Sequence, residues 1–207
     1  MENQTSTETA TKDLHLGELL DGRYRVSAHL GVGGLSTVYR GVDESTNKAV
    51  AIKILNSKFL ADDDAAGRFA RETRAACLTH KHLVQIFDRG IKNSGEPFIV
   101  MELLEGVTLC QALKAANGIM RLPRAINICR QTAEALTFAH EEGIVHRDLK
   151  PGNIFLLDNK HGSDFVKVLD FGLAKVIDQT SGFQTKVDET VGTPRYMSPE
   201  QIRGERS

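Results

Sequence analysis

The run His146-Arg147-Asp148-Leu149-Lys150-Pro151-Gly152-Asn153, followed by Asp170-Phe171-Gly172, sets three oxygen-bearing side chains and one mobile cation at intervals that a single site can use. Phosphoryl transfer leaves protein groups little covalent chemistry. It needs a carboxylate that orients the attacking hydroxyl, and oxygen ligands that hold a cation against the phosphates. Asp148, Asn153 and Asp170 supply those oxygens, and Lys150 the positive charge. Magnesium is a hard cation that keeps several waters, so one Asp and one Asn sharing it with phosphate oxygens suffice without an all-protein cage. Taken alone, Asp-Phe-Gly would mean no more than a glycine-permitted bend after a strand. The octapeptide is far more specific, and the two together leave little room for chance.

On these motifs the chain resembles the protein kinase superfamily, and within it the eukaryotic-like serine/threonine kinases of bacteria, from about Tyr24 to its last residue. Lys150-Pro151-Gly152-Asn153 is the detail that marks the serine/threonine branch; Gly192-Thr193-Pro194-Arg195-Tyr196 and Ser198-Pro199-Glu200 point the same way. The resemblance implies an α+β, two-lobed fold. Residues 1–16 would be a disordered tail, 17–105 a small antiparallel β lobe with one helix, and 106–207 an incomplete, mainly α large lobe. It also implies transfer of the γ-phosphoryl group of Mg-ATP to Ser or Thr hydroxyls of proteins. Asp148, Lys150, Lys53 and Glu72 would be the catalytic residues, and Asn153 and Asp170 the Mg2+ ligands.

Upstream, Gly31-Val32-Gly33-Gly34-Leu35-Ser36-Thr37-Val38 lies between two segments that read as strands, 24–30 and 38–42, which puts the glycines in a hairpin turn where backbone amides can approach phosphate oxygens. Ser36 stands where the family has a third glycine. In Ala49-Val50-Ala51-Ile52-Lys53-Ile54-Leu55 one lysine breaks an apolar run, and a lysine inside a buried strand is costly unless paired. Glu72 is the candidate partner, on a helical stretch where Phe69, Ala76 and Cys77 can pack inward; in the family that glutamate holds the lysine against the α- and β-phosphates. By the same resemblance Leu30, Gly31, Gly33, Gly34, Val38 and Ala51 would contact the nucleotide, with Val38 and Ala51 roofing the adenine and Phe155 forming its floor. Met101 would be the gatekeeper, and the backbone of Glu102 and Leu104 would bond the base.

Between Asp170 and Glu200 the chain is polar and weakly periodic, which reads as an activation segment. Arg147 beside the catalytic aspartate is of the kind neutralised by a phosphate on that segment; by the resemblance Arg68 and Lys175 stand at positions that complete such a pocket in relatives, and Thr185 and Thr190 are the candidate acceptors. Thr193, by the resemblance, contacts the catalytic Asp and Lys and helps select a hydroxyl substrate.

The elements that carry these groups follow from spacing. Thr108 can cap a short helix through Ala116. Pro123 opens a longer helix to about His140, with Ile126, Cys129, Ala133 and Leu136 spaced for one buried face and Gly143 as its stop. With 41% hydrophobic and 26% charged residues and a net charge of −1, the composition offers no basic surplus for nucleic acid. Cys77, Cys110 and Cys129 lack metal-ligand spacing and are odd in number, which reads as reduced thiols and a cytoplasmic setting. The first residues have no apolar core of the signal-peptide kind, and no stretch reaches the roughly 18 apolar residues of a membrane span. Family members continue past the segment ending in Pro199-Glu200, so the chain reads as truncated there. Glu200 then lacks its usual arginine, and the helix from Pro123 exposes apolar surface suited to self-association. The alternative to a working enzyme is a nucleotide-binding fragment without transfer, acting as a scaffold or remaining as a remnant.

Overall fold

Val50, Ile52 and Ile54 alternate with Ala51 and Lys53, a period of two that sends the first set to one face of a strand and the second to the other. In the computed structural model, which describes residues 15–33, 36–55, 78–158, 164–170 and 194–203, this segment is strand β4 (Lys48–Leu55). Two compact units divide the chain. The first takes Met1–Arg71 with Ile86–Leu104, the second Glu72–Gln85 with Glu105–Ser207.

In the first unit β4 lies within a six-stranded antiparallel sheet. Its order is β1 (Leu19–Leu20), β2 (Tyr24–Val32), β3 (Ser36–Asp43), β4, β6 (Pro97–Glu102) and β5 (Ile86–Ile91). Strands β2 and β3 run closer to the glycine turn than the sequence suggested. Tyr39, Ile52 and Val100 are cross-strand partners, and with Leu20, Tyr24, Val26, Val50, Ile54 and Phe98 they form the core on one face. Burial of side chains this size stabilises by about 1.5–3 kcal/mol each, so this face anchors the sheet.

The second unit holds a three-stranded antiparallel sheet, β7 (Gly106–Thr108), β8 (Ile154–Leu157) and β9 (Phe165–Val168). Among the described residues its α-helices are α1 (Leu109–Ala115), α2 (Leu122–Glu141) and the short α3 (Pro199–Ile202). Thr108 caps α1 as expected, in a reciprocal box with Gln111. Gly143, at φ 73°, follows the end of α2 and bonds back to the His140 carbonyl at 2.9 Å.

The buried face of α2 is not the one apolar spacing suggested. Ile128, Gln131, Thr132, Ala135 and Ala139 point inward, whereas Ile126, Cys129 and Ala133 are exposed and Leu136 is half-buried. Hydrogen bonding is the reason. Gln131 donates through Nε2 to the Asp164 carbonyl at 2.9 Å and accepts from the Val166 amide at 3.0 Å, while the Thr132 hydroxyl donates to the Ile128 carbonyl at 2.8 Å. With their polar atoms satisfied, these two residues can sit in the interior without the usual penalty. The outer edge of β9 is met by the 82–84 segment, where the Val168 amide donates to the His82 carbonyl at 2.7 Å and the Val84 amide to the Val168 carbonyl at 3.0 Å. Among the described residues no helix is long and apolar enough to cross a membrane.

Candidate functional site

Strands β8 and β9 pair with Ile154 opposite Val168, so the residues just outside the hairpin, Asn153 and Leu169, must face one another. They do: the Leu169 amide donates to the Asn153 carbonyl at 2.9 Å. This register sets Asp170 one residue from the backbone that carries Asn153. Asp170 itself has φ 60°, a left-handed conformation uncommon for a residue with a Cβ and typical of functional turns.

Asp148, Lys150 and Asn153 are brought together. Lys150 Nζ donates to Asp148 Oδ2 at 2.7 Å. Asn153 Nδ2 donates to the Asp148 main-chain carbonyl at 2.8 Å and to Oδ2 at 3.1 Å. Asn153 is buried and Asp148 half-buried, so the fold fixes the amide while the carboxylate stays within reach of solvent. Because Nδ2 of Asn153 is directed at Asp148, its Oδ1 is turned away as an oxygen of the kind a hard cation takes. Among the described residues no three His, Cys, Asp or Glu cluster as a metal site. An Asn–Asp pair that shares its cation with phosphate oxygens requires no such cluster.

His146, named in the sequence only as part of the motif, has a structural task that spacing did not reveal. It is 3% exposed, and its Nε2 lies 2.8 Å from the Leu169 carbonyl, while the Asp148 amide lies 3.3 Å from Nδ1. Burial pushes the imidazole below its ordinary pKa and so favours the neutral ring. The bonding network assigns the proton to Nε2, which donates to Leu169, with Nδ1 accepting from Asp148. One ring thereby ties the residue before Asp170 to Asp148. Gln201 also escaped notice: its Nε2 donates to the Arg147 carbonyl at 2.7 Å. The signal available for it was the Ser198-to-Gln201 spacing of a capping box, which the structure contains. Glu200, expected to lack a partner, is held below the usual carboxylate range by a hydrogen bond from Ser198.

In the first unit, register groups the other candidates. Val38 pairs with Lys53, Lys53 with Ile99, and Ala51 with Met101. Cross-strand partners share a face, so Val38, Ala51, Lys53 and Met101 line the face opposite the Tyr39–Ile52–Val100 core. Gly31 pairs with Val38 after a register shift at His29. Leu30 is about half exposed, and the Gly33 amide closes the turn onto the Ser36 carbonyl at 2.8 Å. Glu102 and Leu104 are partly buried at the end of β6 and beyond it. In the second unit Phe155 is partly buried on β8, between Thr108 of β7 and Lys167 of β9. Gly34, Glu72, Arg68, Lys175, Thr185, Thr190 and Thr193 lie outside the described residues.

Comparison with known proteins adds to this geometry. The profile of the protein kinase domain matches residues 24–207. The serine/threonine-protein kinase pkn3 of Myxococcus xanthus is 40% identical over 199 residues, which cover 95% of this chain and 36% of that protein. PknL of Mycobacterium tuberculosis is 41% identical over 197 residues, 95% of this chain and 47% of that one. The chain thus spans less than half the length of these curated relatives. Among solved structures, the Mycobacterium tuberculosis PknI kinase domain superposes with a TM-score of 0.74 at 27% identity, covering 94% of this chain and 70% of that one.

Proposed function

This chain belongs to the protein kinase domain family, which uses ATP and a divalent metal, and we propose that it transfers the γ-phosphoryl group of ATP to Ser and Thr hydroxyls of proteins with Mg2+ as the metal. The observation that carries the reading is the network in which Lys150 and Asn153 both bond Asp148 while the Asn153 carbonyl accepts from the amide of Leu169, the residue preceding Asp170. Asp148 orients the attacking hydroxyl and accepts its proton. Lys150, already on Asp148, is the cation for the transferred phosphoryl group. Asn153 through Oδ1 and Asp170 through its carboxylate would hold the metal. Mg2+, when bound, neutralises charge on the phosphate oxygens.

Lys53 takes the α- and β-phosphates, with Glu72 as its partner, and Gly31, Gly33 and Gly34 offer backbone amides to them. The adenine falls to Leu30, Val38, Ala51, Met101 and Phe155, with backbone bonds from Glu102 and Leu104. Residues 17–105 and 106–207 are read as the two lobes. The unpaired thiols of Cys110 and Cys129 among the described residues accord with a cytoplasmic setting. Exposed Leu122 and Ile126 on α2 offer apolar area for self-association.

The test is incubation of the 207-residue chain with Mg2+ and γ-labelled ATP beside an Asp170→Asn variant, with the label mapped by mass spectrometry. Label on Ser or Thr in the unsubstituted chain alone is the expected result. No label, with ATP still raising the unfolding midpoint, would reduce the chain to a nucleotide-binding fragment.

A further inference from the structure

Arg147, the residue before Asp148, has φ 65°, and its carbonyl shares one planar peptide unit with the Asp148 amide. That unit is held at both ends. Its N–H donates to the His146 carbonyl at 2.9 Å, with His146 Nδ1 at 3.3 Å, and its C=O accepts from Gln201 Nε2 at 2.7 Å. Fixing both ends of a planar group fixes its rotation, and so sets the direction in which Asp148 leaves the backbone. Gln201 is in turn held by α3: its Oε1 accepts from the Ser198 amide at 2.9 Å, and its own amide lies 3.4 Å from the Ser198 hydroxyl.

From this geometry we infer that Gln201 is a positioning residue for Asp148, coupling the turn at Ser198-Pro199-Glu200 to the catalytic loop through one amide side chain. The inference rests on the kinase reading for its consequence in turnover, but not for the coupling itself. Only an amide serves both ends. Glutamate would keep the capping oxygen for Ser198 and would set a carboxylate against the Arg147 carbonyl, where a donor is needed.

Gln201→Glu therefore separates capping from coupling. Amide hydrogen exchange on the 207-residue chain is expected to quicken about tenfold across residues 146–150 while 201–203 stay protected, and kcat to fall about tenfold with KM for ATP unchanged. Gln201→Met, which keeps the length and loses both bonds, is expected to quicken exchange in both stretches. Wild-type exchange at 146–150 in Gln201→Glu would overturn the inference. If the unsubstituted chain transfers no phosphate, the kinase reading falls alone, since exchange is read without turnover.

Discussion

Asn153 grips Asp148 at two points, its Nδ2 lying 2.8 Å from the main-chain carbonyl and 3.1 Å from Oδ2. With Lys150 on the same Oδ2, the carboxylate cannot rotate freely. On the proposed transfer, replacing Asp148 by Asn would keep the shape but set an amide in place of the proton acceptor. A general base contributes about 100- to 10,000-fold, so kcat should fall by at least the lower figure. Binding of ATP, followed by thermal shift, should change by less than about twofold.

Lys53 stands between Val38 and Ile99 on the sheet face opposite the core. Charge-assisted bonds to phosphate contribute about 1.5–3 kcal/mol. Lys53→Met should therefore weaken ATP binding roughly 10- to 100-fold by titration calorimetry while leaving the fold intact by circular dichroism. ATP affinity equal to the unsubstituted chain would remove Lys53 from the phosphate site.

At Gly106, φ is 145°, and an added Cβ would come within 2.1 Å of the Leu156 carbonyl oxygen and 2.9 Å of the Asp158 amide. Both are backbone atoms, one in β8 and one in the residue that follows it, so neither can move cheaply. Gly106→Ala is expected to destabilise the fold by about 2–4 kcal/mol, lowering the unfolding midpoint by roughly 5–10 °C. Scanning calorimetry measures it.

Buried His146 holds a proton less readily than an exposed histidine, whose ordinary value is 6.5. The unfolded chain then binds more protons as pH falls, so this contribution to stability is complete above about pH 6.5 and is lost as the pH drops toward the lower folded value. The unfolding midpoint should fall between pH 7.5 and pH 5.5, and His146→Asn should flatten part of that slope. His82, depressed by burial as well, accounts for some of the remainder. An unchanged slope in His146→Asn would deny the neutral buried ring.

Local chemistry was legible without the fold. Asp148, Lys150 and Asn153 lie within one short loop, and Thr108 with Gln111 makes its capping box within a single turn, so neighbours along the chain were enough to read them. The alternation through Lys53 was likewise readable, because a strand's period of two is built into its backbone. Tertiary structure decided the inward face of α2, for Gln131 and Thr132 become interior residues only when carbonyls and amides can take their polar atoms, and Gln131 finds those on β9 and at Asp164. It also decided the register that sets Leu169 against Asn153, and the reach of Gln201 across 54 residues to Arg147. Such contacts depend on which distant backbone groups are left to be satisfied once the sheets have formed, and no spacing along a chain encodes that.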